Sequence, residues 1–141
     1  MINETVKLKG DLVITVLDKD GAVKERREEK NLIVSAGLTF ICSRMANATA
    51  GVMSHMAVGS GTATPAAANT DLGTILGARE PLDSTYVSSF EAGEGTGAVT
   101  EAGLFNAASS GTMLCRTVFP VVNKGANDTM AITWTITLSA S

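Results

Sequence analysis

The sequence contains few of the residues on which catalysis and nucleic-acid recognition usually depend. Its 141 residues include one histidine and one tryptophan, and aromatic residues make up only 4%. A single histidine leaves most nucleophile–base pairs without a base, and so few aromatic residues argue against a platform for stacking nucleobases. The net charge of −3 offers no basic surface to phosphate groups. We therefore expect no catalytic residues, no cofactor and no direct nucleic-acid partner.

Long hydrophobic runs are also missing. No apolar stretch approaches the roughly 18 residues needed to span a bilayer, and the first five residues, MINET, lack the basic and apolar regions of a signal peptide. We therefore expect synthesis in a cytoplasm and no membrane partner. Hydrophobic residues make up 45% of the chain and charged residues 18%, which indicates a globular protein, and residues 1–141 suit one domain.

The sequence has only two cysteines, Cys42 and Cys115, and they form no CxxC motif. Both lie among apolar residues, which favours two buried free thiols, although a disulfide between them stays open at this stage. No neighbouring histidine or cysteine completes a metal-binding set. His55, the single histidine, lies in a predicted strand and is typical of a structural residue. The sequence therefore predicts no metal site.

Most of the chain has the pattern of short β-strands separated by turns. The last predicted strand carries a large apolar residue at every second position: Met130, Ile132, Trp134, Ile136 and Leu138. A period of two places these side chains on one face, so we predict that Ile132, Trp134 and Ile136 lie in the core. Pro120 is expected to end the strand before it or to mark an edge. The predicted fold is mainly β, an antiparallel β-sandwich or a jelly-roll-like barrel.

One segment has the periodicity of a helix. Ser35 is a favourable N-cap, and four apolar residues follow it at positions i, i+3, i+4 and i+7: Leu38, Ile41, Cys42 and Met45. This spacing places them on one helical face. The sequence therefore predicts one short helix over about residues 36–46, with Leu38 and Ile41 in the core.

Several segments, taken in order, resemble small structural proteins of tailed bacteriophages. They are NLIVSAGL at 31–38, MAVGSGT at 56–62, the small-residue loop to Leu72 with Arg79-Glu80, GAVTEAGLFN at 97–106 and RTVF at 116–119. The segment Thr100–Ala107, TEAGLFNA, also resembles the N-terminal domain of phage tail-collar fibre proteins. The resemblance covers most of the chain from Asn31 onward. It implies a non-enzymatic virion protein that is present in many copies.

The resemblance leaves the position in the particle open. A small β domain suits a capsid decoration or cement subunit, which we favour, and it equally suits a baseplate, collar or tail-fibre-attachment subunit. A receptor-binding module for the host surface is an alternative of another class. The expected partners are further copies of the same chain, as a homo-oligomer, and other capsid or tail proteins of the virion.

Two segments are expected to make these contacts. The first is an N-terminal arm of about residues 1–10, because terminal segments are ordered only when they dock. The second is the loop from Ser60 to Asp71, because long loops in compact domains are usually functional. The interface residues predicted from these segments are Met1, Ile2, Asn3, Thr62, Thr64, Pro65 and Asn69.

Overall fold

The strands of this protein form a nearly closed, barrel-like antiparallel sheet. The computed structural model describes residues 5–46 and 51–140, which contain eight strands and one helix. In chain order they are β1 (Val6–Leu17), β2 (Val23–Ile33), α1 (Ser35–Ala46), β3 (His55–Gly59), β4 (Glu80–Pro81), β5 (Val87–Phe90), β6 (Gly97–Phe105), β7 (Met113–Lys124) and β8 (Thr129–Ala140). The order across the sheet is β4-β3-β6-β7-β2-β1-β8-β5. The predicted fold class, mainly β with one short helix, is confirmed.

The alternating pattern of β8 builds one wall of the core. Trp134 lies opposite Leu12 of β1, and Ile132 lies opposite Ile14. Opposite residues of an antiparallel pair share a face, so both pairs point inward and all four side chains are buried. Ile136, further along β8, is half-buried and packs against the same core cluster. Ile132 and Trp134 therefore lie in the core, and Ile136 lies at its margin.

The turn between β1 and β2 follows from its residues. The Asp18 carboxylate accepts hydrogen bonds from the backbone amides of Asp20 and Ala22, at 2.9 and 3.0 Å. Gly21 adopts a φ of +83°, which favours glycine. These local bonds fix the turn that connects β1 to β2.

Charged side chains occupy the inward face of β2, where it separates from β7. The two strands pair only through Leu32 and Ile33, and beyond them Arg27 donates a 2.9 Å hydrogen bond to the carbonyl oxygen of Pro120. Pro120 lies inside β7, so the first alternative predicted for it, the end of the strand, is wrong. The second alternative, an edge, agrees with the structure, because β2 does not pair with β7 at Pro120. Pro120 is tolerated because the β6–β7 pairing is irregular between Val118 and Val122, where no ladder hydrogen bond from its nitrogen is needed.

The second half of the predicted N-terminal arm belongs to the sheet. Val6–Gly10 belongs to β1 and pairs with Ile136–Ala140 of β8. The pairing of β1 with β8 includes these residues because the alternating sequence pattern of β8 continues to the end of that strand. The prediction of an arm over residues 1–10 is therefore wrong for residues 6–10. The predicted interface residues Met1, Ile2 and Asn3 lie outside the described residues.

The helix α1 packs through a different face from the one predicted. Gly37 is buried against β7, and a Cβ atom there would lie only 2.2 Å from the carbonyl oxygen of Leu114. The missing side chain lets the helix backbone approach the strand closely, so the contact centres on Gly37. Leu38 consequently points outward and is 44% exposed, and its predicted place in the core was wrong. Ile41 is half-buried and packs against the core cluster.

The two cysteines have different environments. Cys115 is buried in β7, whereas Cys42 is exposed on α1, and both are free thiols. The prediction of two buried thiols is therefore wrong for Cys42, because this residue shares the outward face of the helix with Leu38. Burial raises the pKa of the Cys115 thiol well above its usual value. Cys115 thus remains an uncharged core residue.

Candidate functional site

Residues 60–78 form a long loop, here called the covering loop, that packs on the outer face of β3, β6 and β7. Small residues on that face allow the close approach. A Cβ atom at Gly59 would lie 2.3 Å from the Thr74 carbonyl oxygen, and one at Gly103 would lie 3.2 Å from the Leu72 side chain. Leu72 packs into a small hydrophobic cluster with buried residues of this face, including Phe105. The sheet therefore has a covered outer face as well as an inner core.

Glu101 of β6 binds the two ends of the covering loop together. Its carboxylate accepts backbone N–H hydrogen bonds from Gly61 at 2.6 Å and from Gly73 and Thr74 at 2.8 Å each. The residue is completely buried, with 0% of its surface exposed. Three amides from both ends of one loop thus converge on a single side chain.

Arg116 of β7 neutralises that carboxylate and continues into the loop. Its Nε and Nη2 atoms each lie 3.0 Å from Glu101 Oε1. Its Nη1 atom donates to the Ala63 carbonyl oxygen at 3.0 Å and to Asn69 Oδ1 at 3.1 Å. Arg116 is only 2% exposed. A buried ion pair is tolerated when further hydrogen bonds satisfy its remaining polar atoms, and the covering loop supplies them.

The pKa of Glu101 reflects this environment. Burial alone raises the pKa, but hydrogen bonds from the amides of Thr74 and Gly73, from Arg116 and from the amide of Gly61 together outweigh burial and lower it. Glu101 is therefore ionised near neutral pH, as the pairing with Arg116 requires. The ion pair serves as a fixed anchor for the loop.

Further contacts hold the loop at its exit and near its tip. Arg79 stacks over the ring of Phe105, with 3.6 Å from its guanidinium carbon to the ring centroid. It also donates hydrogen bonds to the carbonyl oxygens of Ala107 at 3.0 Å and Ser110 at 2.7 Å. Near the tip, the carbonyl oxygen of Ala67 accepts a 2.7 Å hydrogen bond from the backbone N–H of Ser35 in α1. The loop is thus attached to both the sheet and the helix.

The predicted interface residues of the loop lie in two different settings. Thr62 and Thr64 are exposed, and Pro65 is half-buried. Asn69 is also half-buried, and its side-chain oxygen accepts hydrogen bonds from Arg116 and from the backbone N–H of Ala66. The exposed tip is therefore residues 62–68, and Asn69 helps to fix it.

The buried charges are a feature that the sequence alone did not predict. Glu101, Arg116 and Lys124 are each at most 2% exposed. Lys124 donates a 2.9 Å hydrogen bond to the Glu91 carbonyl oxygen, and burial lowers its pKa, although nearby carboxylates, Asp128 first among them, oppose this. The available signal was a single charge within each apolar strand, as in TEAGLF and LCRTVF. Such a charge is buried only when a partner meets it.

The residues considered for chemistry do not form a reactive cluster in the described part of the chain. The Nδ1 atom of His55 lies 2.8 Å from the hydroxyl of its neighbour Ser54. Within residues 5–46 and 51–140, no group of three or more histidine, cysteine or acidic residues is placed to hold a metal ion. At 12 residues, α1 is too short to cross a bilayer, and the described ranges contain no helix that meets the length and hydropathy required.

Comparison with known proteins returns no relative: no family model matches the chain, and no curated protein or solved structure matches it. The fold and the covering loop define this chain as a barrel-like β domain that presents one firmly anchored loop. Its function is therefore inferred from its own geometry.

Proposed function

We propose that this chain is a non-enzymatic structural subunit of a tailed-phage virion, acting as a capsid decoration subunit. The observation that carries the proposal is the anchored covering loop. Its exposed tip, residues 62–68, is held from below by the Arg116 bond to the Ala63 carbonyl oxygen and from the side by the Ser35 bond to Ala67. A contact surface that is already ordered loses little conformational entropy on binding.

The chemistry of the tip suits contact with another protein. Its sequence, Thr62-Ala63-Thr64-Pro65-Ala66-Ala67-Ala68, is uncharged and made of small side chains. Small side chains let two backbones approach closely, and an uncharged tip needs no matching charge on its partner. The buried charges of Glu101 and Arg116 lie beneath this surface and are paired with each other. They hold the loop and leave its tip for the partner.

The homo-oligomeric contact is assigned to the outward face of α1. Leu38 and Met45 are 44% and 78% exposed, and the exposed Cys42 lies between them. The helix carries one charged residue, Arg44, and no acidic residue. A second copy of the chain could therefore pack its own α1 against this face without bringing carboxylates together. Exposed apolar groups at helical spacing are typical of a surface that a partner covers.

The virion role is tested by asking whether the chain is part of purified particles. Mass spectrometry of gradient-purified phage particles encoding this chain is expected to find it at a fixed ratio to the major capsid protein. Thr64→Asp, at the exposed tip, should reduce incorporation, and Ser109→Asp, in an exposed loop elsewhere, should not. Both variants should melt like the parent protein. Absence of the chain from purified particles would overturn the proposal.

The position in the particle is tested separately. Cryo-electron microscopy is expected to place the chain on the capsid, with residues 62–68 at a subunit contact. Density at the baseplate, collar or fibre-attachment site would replace the decoration role with one of those structural roles. For the α1 contact, mild oxidation should give a covalent dimer in the parent protein and none in Cys42→Ser. A parent protein that stays monomeric at high concentration would contradict that contact.

A further inference from the structure

A cavity of about 430 Å³ lies between the segment that leads into β3 and the turn that joins β4 to β5. Apolar side chains form part of its lining: Val52, Met53 and Leu82. The remaining lining residues all carry hydroxyl groups: Ser54, Ser84, Thr85 and Tyr86. The volume falls within the range of sites that hold small ligands. None of these residues belongs to the covering loop.

Tyr86 adopts an unusual backbone conformation at this cavity. Its φ is +56°, in the left-handed region where a bulky residue is strained. Two backbone hydrogen bonds hold this conformation: the Tyr86 carbonyl oxygen accepts one at 2.8 Å from the backbone N–H of Trp134, and the Val87 N–H donates one to the Ser84 carbonyl oxygen in the adjoining turn. Glycine or asparagine would fit this position with less strain. Strained residues of this kind cluster at ligand sites.

Three of the four hydroxyl groups in the cavity lining are free to bind. Within the described ranges, no hydrogen bond occupies the hydroxyls of Ser84, Thr85 or Tyr86, while the Ser54 hydroxyl contacts His55. The described lining includes no charged side chain. Tyr86 lines the cavity and is partly buried against the core cluster. The cavity thus combines one aromatic residue, several neutral hydroxyls and apolar lining residues.

We propose that this cavity binds a neutral saccharide unit. The apolar C–H face of a sugar ring would stack on Tyr86, and its hydroxyls would exchange hydrogen bonds with Ser84 and Thr85. A charged ligand would find no counter-charge in this lining. The proposal stands on the cavity alone and does not depend on a virion role. A decoration subunit with such a site would additionally attach to glycan-bearing surfaces.

Binding is tested with the full-length chain and with glucose, galactose, mannose and N-acetylglucosamine as probes. Saturation-transfer NMR at millimolar sugar should show contact with at least one of them. Tyr86→Ala should weaken binding about tenfold, the value of one lost aromatic contact. Tyr86→Phe should retain most of the affinity.

A matched pair of variants distinguishes binding at this cavity from non-specific binding. Thr85→Ala removes a cavity hydroxyl and should weaken binding about threefold, the value of one modest hydrogen bond. Thr133→Ala removes an exposed hydroxyl on the outer face of β8 and should leave binding unchanged. If none of the four sugars binds, or if Tyr86→Ala binds as well as the parent, the proposal is overturned. If Tyr86→Ala does not fold, equal affinities of Thr85→Ala and Thr133→Ala overturn it instead.

Discussion

Glu101 and Arg116 lie on neighbouring strands and form a buried ion pair, with Arg116 Nε and Nη2 each 3.0 Å from Glu101 Oε1. The pair completes its polar contacts with a single loop. Glu101 accepts N–H bonds from Gly61, Gly73 and Thr74, and Arg116 donates to the Ala63 carbonyl oxygen. Two side chains on the sheet thereby position a long loop, and long loops in compact domains are usually functional.

Removing the charge of Glu101 should destabilise the fold strongly. Glu101→Gln leaves Arg116 buried without a counter-charge, which costs about 3–5 kcal/mol, measured as the free energy of unfolding in urea. The control is Glu28→Gln, whose side chain pairs with Arg26 at the surface and should cost at most about 1 kcal/mol. The double variant Glu101→Gln, Arg116→Met should cost less than the sum of its single changes. A cost below about 1 kcal/mol for Glu101→Gln would show that the anchor contributes little.

Low pH should weaken the Glu101–Arg116 ion pair and lower the free energy of unfolding. The pKa of Glu101 is lowered from the usual 4.5 in the folded protein, so the stabilisation it provides is complete above that value and is lost as the pH falls through the lower folded pKa. The free energy of unfolding should therefore fall between about pH 5 and about pH 3, and fall less in Glu101→Gln. Glu101→Gln should still lose some stability in acid, because a hydrogen bond from Lys24 lowers the pKa of Asp128, which is also protonated as the pH falls. Identical slopes in both proteins would contradict the assignment.

Alanine at position 37 should destabilise the helix. Replacing an interior helical glycine with alanine usually stabilises by about 1 kcal/mol. Here the added Cβ atom would lie 2.2 Å from the Leu114 carbonyl oxygen, so we expect a loss of about 1–3 kcal/mol in thermal unfolding. Thr39→Ala, on the exposed side of α1, should instead stabilise by about 0.5 kcal/mol. A higher melting temperature for Gly37→Ala would exclude the close contact.

Trp134 and Leu38 were both predicted to be core residues, and substitution by alanine should cost much more stability at Trp134 than at Leu38. Trp134 is 2% exposed and Leu38 is 44% exposed. Trp134→Ala should cost about 3–5 kcal/mol, and Leu38→Ala less than about 1 kcal/mol, in the same urea titration. If the two changes cost equal amounts, the outward orientation of Leu38 is wrong. Sedimentation of Leu38→Ala would also report on self-association through α1.

The features set by short-range patterns could be predicted from the sequence. The period of two in β8 places Ile132 and Trp134 in the core because alternate side chains of a strand always point the same way. The turn at Asp18–Gly21 forms because its own residues supply the hydrogen bonds and the positive φ. The bounds of α1 follow from helical spacing in the same way. In each case the physical cause lies within a few residues of its effect.

The orientation of α1 could not be predicted from the sequence. Leu38, Ile41 and Met45 have the right spacing for a buried face, and spacing alone favours burial of the largest apolar side chains. The buried position is Gly37, because its missing side chain lets the helix backbone meet the Leu114 carbonyl group of a strand far along the chain. Helical periodicity fixes which residues share a face, and only the neighbouring strand decides which face is buried.

The sequence by itself therefore determined a β-rich chain with one helix, a core strand around Trp134 and a long small-residue loop. Only the tertiary structure decided that Glu101 and Arg116 meet beneath this loop, that Asn69 turns inward to accept a hydrogen bond from Arg116, and that Leu38 faces outward. The reason is physical: strand and turn preferences act over a few residues, whereas a buried charge is stable only where a distant partner reaches it.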